Sequence, residues 1–292
     1  MNTSMPPQIL LDWFARARRP LPWREPGISG WQILISEIML QQTPVARVVG
    51  PWQTWVERWP VPSAMAAETT GEVVRAWGKL GYPRRAMRLH ECARVLAAEH
   101  DDAVPDDVDT LLGLPGIGDY TARAVACFAY GQSVPVVDTN VRRVIARAVH
   151  GTQQPGNPSK RDLVDARQLL PDDETAPEFS AALMELGALV CTARSPLCDA
   201  CPLVDTCRWV ALGKPAHDGP PRRTQKYDGT DRQVRGLLLD VLRGRTGPVE
   251  RARLDLAWTR DTAQRDRALD SLLVDGLIEI TSDGLFCLAG EA

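Results

Sequence analysis

Two carboxylates, a pair of glycines and four cysteines are the residues of this chain whose type and spacing could do chemistry. Glu37 lies in the run Trp31-Gln-Ile-Leu-Ile-Ser-Glu-Ile-Met-Leu40, which is otherwise almost wholly apolar. Burial in such a helix favours the neutral carboxyl and raises its pKa, which suits a proton donor. Asp138 closes the apolar run Val134-Pro-Val-Val and opens the basic segment Thr-Asn-Val-Arg-Arg143. It is there either as a helix N-cap or as a carboxylate at the mouth of a pocket. Either carboxylate could serve acid–base or electrostatic chemistry in such surroundings.

Leu111-Leu-Gly-Leu-Pro-Gly-Ile-Gly118 stands directly before a helical segment. Gly116 and Gly118 would let a phosphate approach backbone N–H groups, with the positive end of the next helix adding to the attraction. Such a device grips DNA without reading its sequence; on its own it is also an ordinary turn between helices. Of the seven cysteines, Cys92, Cys127 and Cys287 are scattered, whereas Cys191, Cys198, Cys201 and Cys207 are separated by six, two and five residues. A reducing cytosol disfavours disulfides, so four thiols this close in sequence read as a metal or iron–sulfur site.

The elements that must position these groups are helical by periodicity as far as residue 212. Helices are predicted over 31–40, 45–59 (with Trp52, Trp55 and Trp59 as a packing stripe), 70–79 capped by Thr70, 84–100, 108–112 and 120–130. Residues 213–230 read as a Pro- and Gly-rich linker. Helices at 233–242, 249–257 and 262–274, then short strands at 277–281 and 285–288 around Ser-Asp-Gly, follow. Three helices and a hairpin resemble a winged helix, which suits DNA binding, protein binding or plain packing equally.

At 292 residues and 44% hydrophobic content, the chain can bury two or three cores, and disorder is excluded. No apolar run reaches the ~20 residues needed to span a bilayer, and residues 1–10 carry no secretion signal, so a cytoplasmic location is expected. The net charge of −3 decides little about nucleic acid. The arginines are clustered, as Arg16, Arg18, Arg19 and Arg24; Arg84, Arg85 and Arg88; and Arg142, Arg143 and Arg147, and an acidic chain can still present a positive groove.

The hairpin, Val-Val-Asp138 and Cys-x6-Cys-x2-Cys-x5-Cys together resemble the helix–hairpin–helix DNA glycosylases of the endonuclease III superfamily, over roughly residues 8–212. That resemblance implies a mainly α, two-lobed fold. A six-helix barrel would occupy 25–133, an iron–sulfur helical domain 1–24 plus 134–212, and a small winged-helix-like α+β module 231–292. It implies a [4Fe–4S] cluster on Cys191, Cys198, Cys201 and Cys207. Ser36-Glu37-Ile-Met-Leu-Gln-Gln-Thr43, Leu21-Pro-Trp-Arg24 and Met184-Glu-Leu-Gly-Ala-Leu-Val-Cys191 further resemble the MutY-type adenine DNA glycosylases.

Within that subfamily Glu37 would protonate the adenine and later activate water, Asp138 would stabilise or attack the sugar cation, and Tyr120 and Asn140 would position both. Lyase-type relatives carry a lysine where this chain has Tyr120; without an amine no Schiff base forms, so a monofunctional enzyme is expected. The target base must leave the stack. Trp23, Arg24 and Glu185 would line its pocket, while Leu40, Gln42, Thr43 and Tyr82 would face the DNA and the opposite base. The expected partner is duplex DNA with adenine mispaired with 8-oxoguanine or guanine, bound by a monomer.

The chain departs from many such enzymes in following its linker with 231–292 alone, too short for the Nudix-like domain that reads 8-oxoguanine. Two alternatives share parts of the pattern. One is a glycosylase acting on thymine opposite guanine, and the other is a non-catalytic iron–sulfur DNA-binding regulator. The Gln41-Gln42-Thr43 run favours the adenine enzyme over the first, and the two carboxylates argue against the second.

Overall fold

The computed structural model describes residues 5–171, 174–217, 219 and 227–292. Contacts divide the chain into two units. One comprises 1–28, 106–112 and 118–221, and the other 29–105, 113–117 and 222–292. Of the expected linker, residues 218 and 220–226 lie outside the described residues.

The second unit opens with helix Gly30–Leu40, started by a capping box in which Ser29 and Gln32 each accept from the other's backbone N–H. Helices Val49–Arg58, Pro62–Ala66, Thr70–Trp77 and Arg84–Glu99 follow. The tryptophan stripe is core: Trp55 meets Trp59 and Trp77 edge-on at 4.8 and 5.3 Å, and all three are essentially buried. The indole N–H groups of Trp31, Trp52, Trp55, Trp59 and Trp77 all have partners, as in Trp31 to the Trp59 carbonyl and Trp77 to that of Gly81. Helix Thr70–Trp77 is capped by Thr69 rather than Thr70, because the Thr69 hydroxyl accepts from Glu72 N while Thr70 is already helical. Past Gly78 the chain tightens into a 3₁₀ turn, Gly78–Leu80.

Residues 231–292 supply helices Asp231–Arg243, Arg251–Asp255 and Thr262–Val274 and the antiparallel strands Ile278–Ile280 and Phe286–Leu288. Val249, expected in a helix, instead forms a bridge with Phe286 and adds a short third edge to the hairpin. These residues do not make a core of their own. Val74 and Met87 join Val234, Leu238, Leu254, Leu272 and Leu288 in one apolar cluster. Gly71 shows how close the packing is: a Cβ there would lie 2.8 Å from Leu288 Cβ and 2.9 Å from the Ala289 carbonyl.

The first unit contains helices Pro7–Ala17, Asp119–Tyr130, Thr139–Ala148, Lys160–Leu169 and Ala176–Leu189 around Leu10, Phe14, Val144, Ile145, Phe179 and Leu186. Helix Asp119–Tyr130, placed with the barrel by the sequence, groups here because Ala124 and Cys127 pack on Val136 with Tyr120 and Met184 beside them. It ends at Gly131, whose φ of +72° is a left-handed cap. Among the described residues no strand precedes Ile278, as the periodicity predicted.

Candidate active site

Asp138 is the N-cap of helix Thr139–Ala148 and also the centre of a polar network in the first unit. One carboxylate oxygen accepts from the backbone N–H of Asn140 (2.8 Å) and Val141 (2.7 Å), and the other from the Asn140 side chain (2.8 Å). Asn140 Oδ1 is in turn held by Arg143 Nη2 at 2.6 Å, and the same guanidinium donates to the carbonyls of Gly187 and Cys191. Gly187 makes this possible, since a Cβ there would lie 2.6 Å from Asn140 Cβ. Burial pushes the Asp138 carboxyl above its ordinary range, against the pull of these donors and of the Arg143 charge. By geometry Asp138 is thus the N-cap, a fixed and partly buried carboxylate with both oxygens engaged. Tyr120, with no amine to offer, lies in the same unit against Ala124, Cys127 and Val136.

Glu185 departs from its expected role. Its side chain is 1% exposed, and its oxygens accept from Arg19 N, Nε and Nη2 and from Arg24 Nη2 at 2.7–3.1 Å. Burial by itself would raise its pKa, but the two arginines hold it down at about 2. Both oxygens are engaged, so Glu185 reaches a base only through the arginines it orients. Arg24 is three-quarters covered, with its guanidinium 5.4 Å from the Phe14 ring, and Trp23 is buried in the same 3₁₀ turn, Pro22–Arg24.

In the same unit the four cysteines border one cavity, together with Arg147 and Trp209. Arg147 is 2% exposed, stacks 4.9 Å from the Trp209 ring and donates to Cys191 Sγ at 3.3 Å and to the carbonyls of Thr192 and Ala193. Burial raises the thiols of Cys191 and Cys201, the latter to about 11, and the mutual repulsion of the four adds to it. Four thiolates so placed need positive charge between them. Four cysteines lining one cavity are the donor set that an iron–sulfur cluster takes. The other cysteines are core, and burial drives Cys92 up to about 12, where it is inert.

The second unit holds Glu37, 6% exposed between Ser36 and Ile38, with Ile33, Leu34, Ile35 and Met39 of the same helix also buried. Gln42 and Tyr82 are both exposed and both have left-handed backbone, at φ of 56° and 48°. Thr43, expected beside them on the DNA face, is buried, and its hydroxyl accepts from Arg85 and lies near the Gln41 and Leu80 carbonyls. Arg85 organises this region. It donates to the carbonyls of Ile38, Met39 and Gln41 through one terminal nitrogen, and to Gly81 and Thr43 through the other. Burial lowers its pKa to about 10. In the hairpin, Gly116 has φ +76°, and a Cβ there would meet Arg88 Cβ at 2.7 Å. Gly118 precedes helix Asp119–Tyr130 in extended conformation.

Sequence reasoning missed Arg19, Arg85, Arg143 and Arg147. Each belongs to a recognised arginine cluster read as a source of positive surface, and each is instead turned toward buried acceptors. Their proximity to these acceptors, the Glu185 carboxylate for Arg19 and mainly backbone carbonyls for the others, is tertiary and has no local sequence signal.

Residues 35–163 match the HhH-GPD superfamily of base excision DNA repair proteins, and 191–207 match the iron–sulfur binding domain of endonuclease III. The second match ends on the outer two of the four cysteines, and the cofactor is a [4Fe–4S] cluster. The chain is 67% identical over 283 residues to an adenine DNA glycosylase of Mycobacterium tuberculosis, covering 97% of this chain and 93% of that one. It is 68% identical to one of Mycolicibacterium smegmatis, covering 99% and 97%. A thermostable thymine-DNA glycosylase structure superposes with a TM-score of 0.65 at 28% identity, covering 70% of this chain and 95% of that one. That likeness shows the shared scaffold, while the far higher identities decide the base; the activity is removal of adenine from DNA in base excision repair. On this agreement of motif, fold and near-full-length identity, the chain belongs to the adenine DNA glycosylases of the HhH-GPD superfamily.

Proposed function

We propose that the enzyme removes adenine mispaired with 8-oxoguanine or guanine in duplex DNA, by hydrolysis without strand cleavage, acting as a monomer in the cytoplasm. The observation that carries this reading is the burial of Glu37 in an apolar helix. Adenine leaves poorly until a ring nitrogen is protonated, and a buried carboxyl is the group suited to deliver that proton.

The base is first flipped out of the stack, and Trp23 and Arg24 receive it, with Glu185 and Arg19 holding Arg24 in place. Glu37 donates its proton to the ring nitrogen. The glycosidic bond breaks with its electron pair passing to adenine, and the sugar becomes an oxocarbenium-like cation. Asp138 stabilises that cation or adds to it transiently. Its two oxygens are aimed by Asn140 and Val141, so no reorganisation is needed as charge develops. Water then adds at the anomeric carbon, returns a proton through the Glu37 carboxylate and leaves an abasic site; Tyr120 and Asn140 position these groups. The absence of an amine at position 120 supports hydrolysis over β-elimination. Leu40, Gln42 and Tyr82 fill the space left in the duplex and touch the opposite base, and the N–H groups around Gly116 and Gly118 hold phosphate. Cys191, Cys198, Cys201 and Cys207 are the proposed cluster ligands; when bound, the cluster cross-links and so orders this loop.

Excision from four duplexes of one sequence tests the reading: adenine opposite 8-oxoguanine, guanine or thymine, and thymine opposite guanine. Adenine loss from the first two, with strand breaks only after alkali, is expected. Glu37→Gln and Asp138→Asn should each abolish excision while keeping duplex affinity. Near-normal turnover in either variant would overturn its role.

A further inference from the structure

Arg232, in the 231–292 region, contacts Tyr82, a proposed DNA-facing residue. Arg232 Nη1 donates to the Tyr82 hydroxyl at 2.9 Å, and its guanidinium lies 4.4 Å from the centre of the same ring. It also lies 5.5 Å from the ring of Tyr227. All three side chains are exposed. From this geometry we infer that Arg232 is a positioning residue that fixes the Tyr82 ring, and that residues 231–292 thereby set how strictly the enzyme reads the base opposite adenine. This rests on the reading that Tyr82 touches that base.

The backbone and the ring of Tyr82 are held by different parts of the chain. Arg85 and the Trp77 indole grip the carbonyl of Gly81 just before it, which steadies the left-handed turn. The Arg85 guanidinium, at 5.8 Å, is more distant from the ring than Arg232 is. Arg232 is carried by helix Asp231–Arg243, and this helix is itself anchored. Arg75 donates to the carbonyls of Leu242 and Arg243, Arg243 Nε donates to the Val74 carbonyl, and Lys79 pairs with Asp240 at 3.7 Å. At the other end Gln264 holds the Gly229 carbonyl and Asp231. The helix is thus docked across helix Thr70–Trp77 and the 3₁₀ turn leading to Tyr82, so it offers a rigid support.

A ring that is free to turn repacks around whichever base it meets. One held by a directional hydrogen bond and a cation–π contact keeps a single shape and rejects the base that does not fit it. Removing Arg232 should therefore act on discrimination more than on chemistry.

The test is single-turnover adenine excision by the full-length holoenzyme on 8-oxoguanine·adenine and guanine·adenine duplexes. Arg232→Ala should lower the ratio of the two rates roughly fivefold to tenfold, the size of one such paired contact. Arg232→Lys, which keeps the charge but loses the planar fork, should restore part of it. Tyr82→Phe should lower the ratio less, and its effect should be non-additive with Arg232→Ala. An unchanged ratio in Arg232→Ala while Tyr82→Ala alters it would overturn the inference and leave the reading of Tyr82 standing. An unchanged ratio in Tyr82→Ala removes that reading and the inference with it. Equal weakening of binding to all duplexes, with a shallower salt dependence, would make Arg232 a phosphate contact and also overturn the inference.

Discussion

Replacing Glu185 by glutamine removes the charge on which Arg19 and Arg24 converge while keeping the shape of the side chain. The magnitude follows from the depression of the Glu185 pKa from 4.5 to about 2. A shift of ~2.5 units at ~1.4 kcal/mol each gives ~3.5 kcal/mol, or ~3 kcal/mol of stability after a small discount for screening at the partly exposed Arg19 and Arg24. Because the folded pKa is depressed, the contribution is complete above the unfolded value near 4.5 and disappears as pH falls toward 2. Urea denaturation of wild type and Glu185→Gln at pH 7, 5 and 3 measures it. The gap should be ~3 kcal/mol at pH 7 and 5, with more than half of it gone at pH 3. At pH 7 the variant should melt roughly 6–12 °C lower. A gap below ~1 kcal/mol at pH 7, or one that stays constant down to pH 3, would refute the claim that the paired arginines and this buried carboxylate stabilise the first unit.

Three further outcomes follow from the same geometry. Asn140→Ala takes one donor from a carboxyl already raised by burial, so the Asp138 pKa should rise further and the acid limb of the excision-rate profile should move to higher pH; an unmoved limb would separate Asn140 from Asp138. Gly187→Ala forces apart two surfaces with no space for a methyl group and should cost about 1–3 kcal/mol in urea while slowing excision. Arg85→Ala leaves the carbonyls of Ile38, Met39, Gln41 and Gly81 without their shared donor; a loss of about 2–4 kcal/mol is expected, with the 8-oxoguanine preference reduced through Gln42 and Tyr82. Thermal melting and the four-duplex assay check both effects.

What the sequence determined by itself is the part written in short-range spacing. The apolar period of each helix, the cysteine loop at 191–207, the glycines of the hairpin, the cap at Asp138 (with the one at Thr69 read a residue late) and the burial of Glu37 in an apolar run all depend on residues within a few positions of each other. They were legible for that reason, down to the tryptophan stripe as core and the two final strands. The tertiary structure alone decided where the polar long side chains point. An arginine reaches several ångströms from its helix, and its sequence neighbourhood does not reveal which carbonyls lie at the end of that reach. Thus Arg19, Arg85, Arg143 and Arg147 were grouped with surface charge although they hold Glu185, the Gly81 turn, Asn140 and the cluster loop. Thr43 was expected outside and lies inside, because Arg85 gathers its hydroxyl into the same bond network. The allegiance of 231–292 was likewise settled only in three dimensions. Its apolar residues could have closed on one another, but Val74 and Met87 complete their core, and that shared burial brings Arg232 onto Tyr82, 150 residues away in sequence.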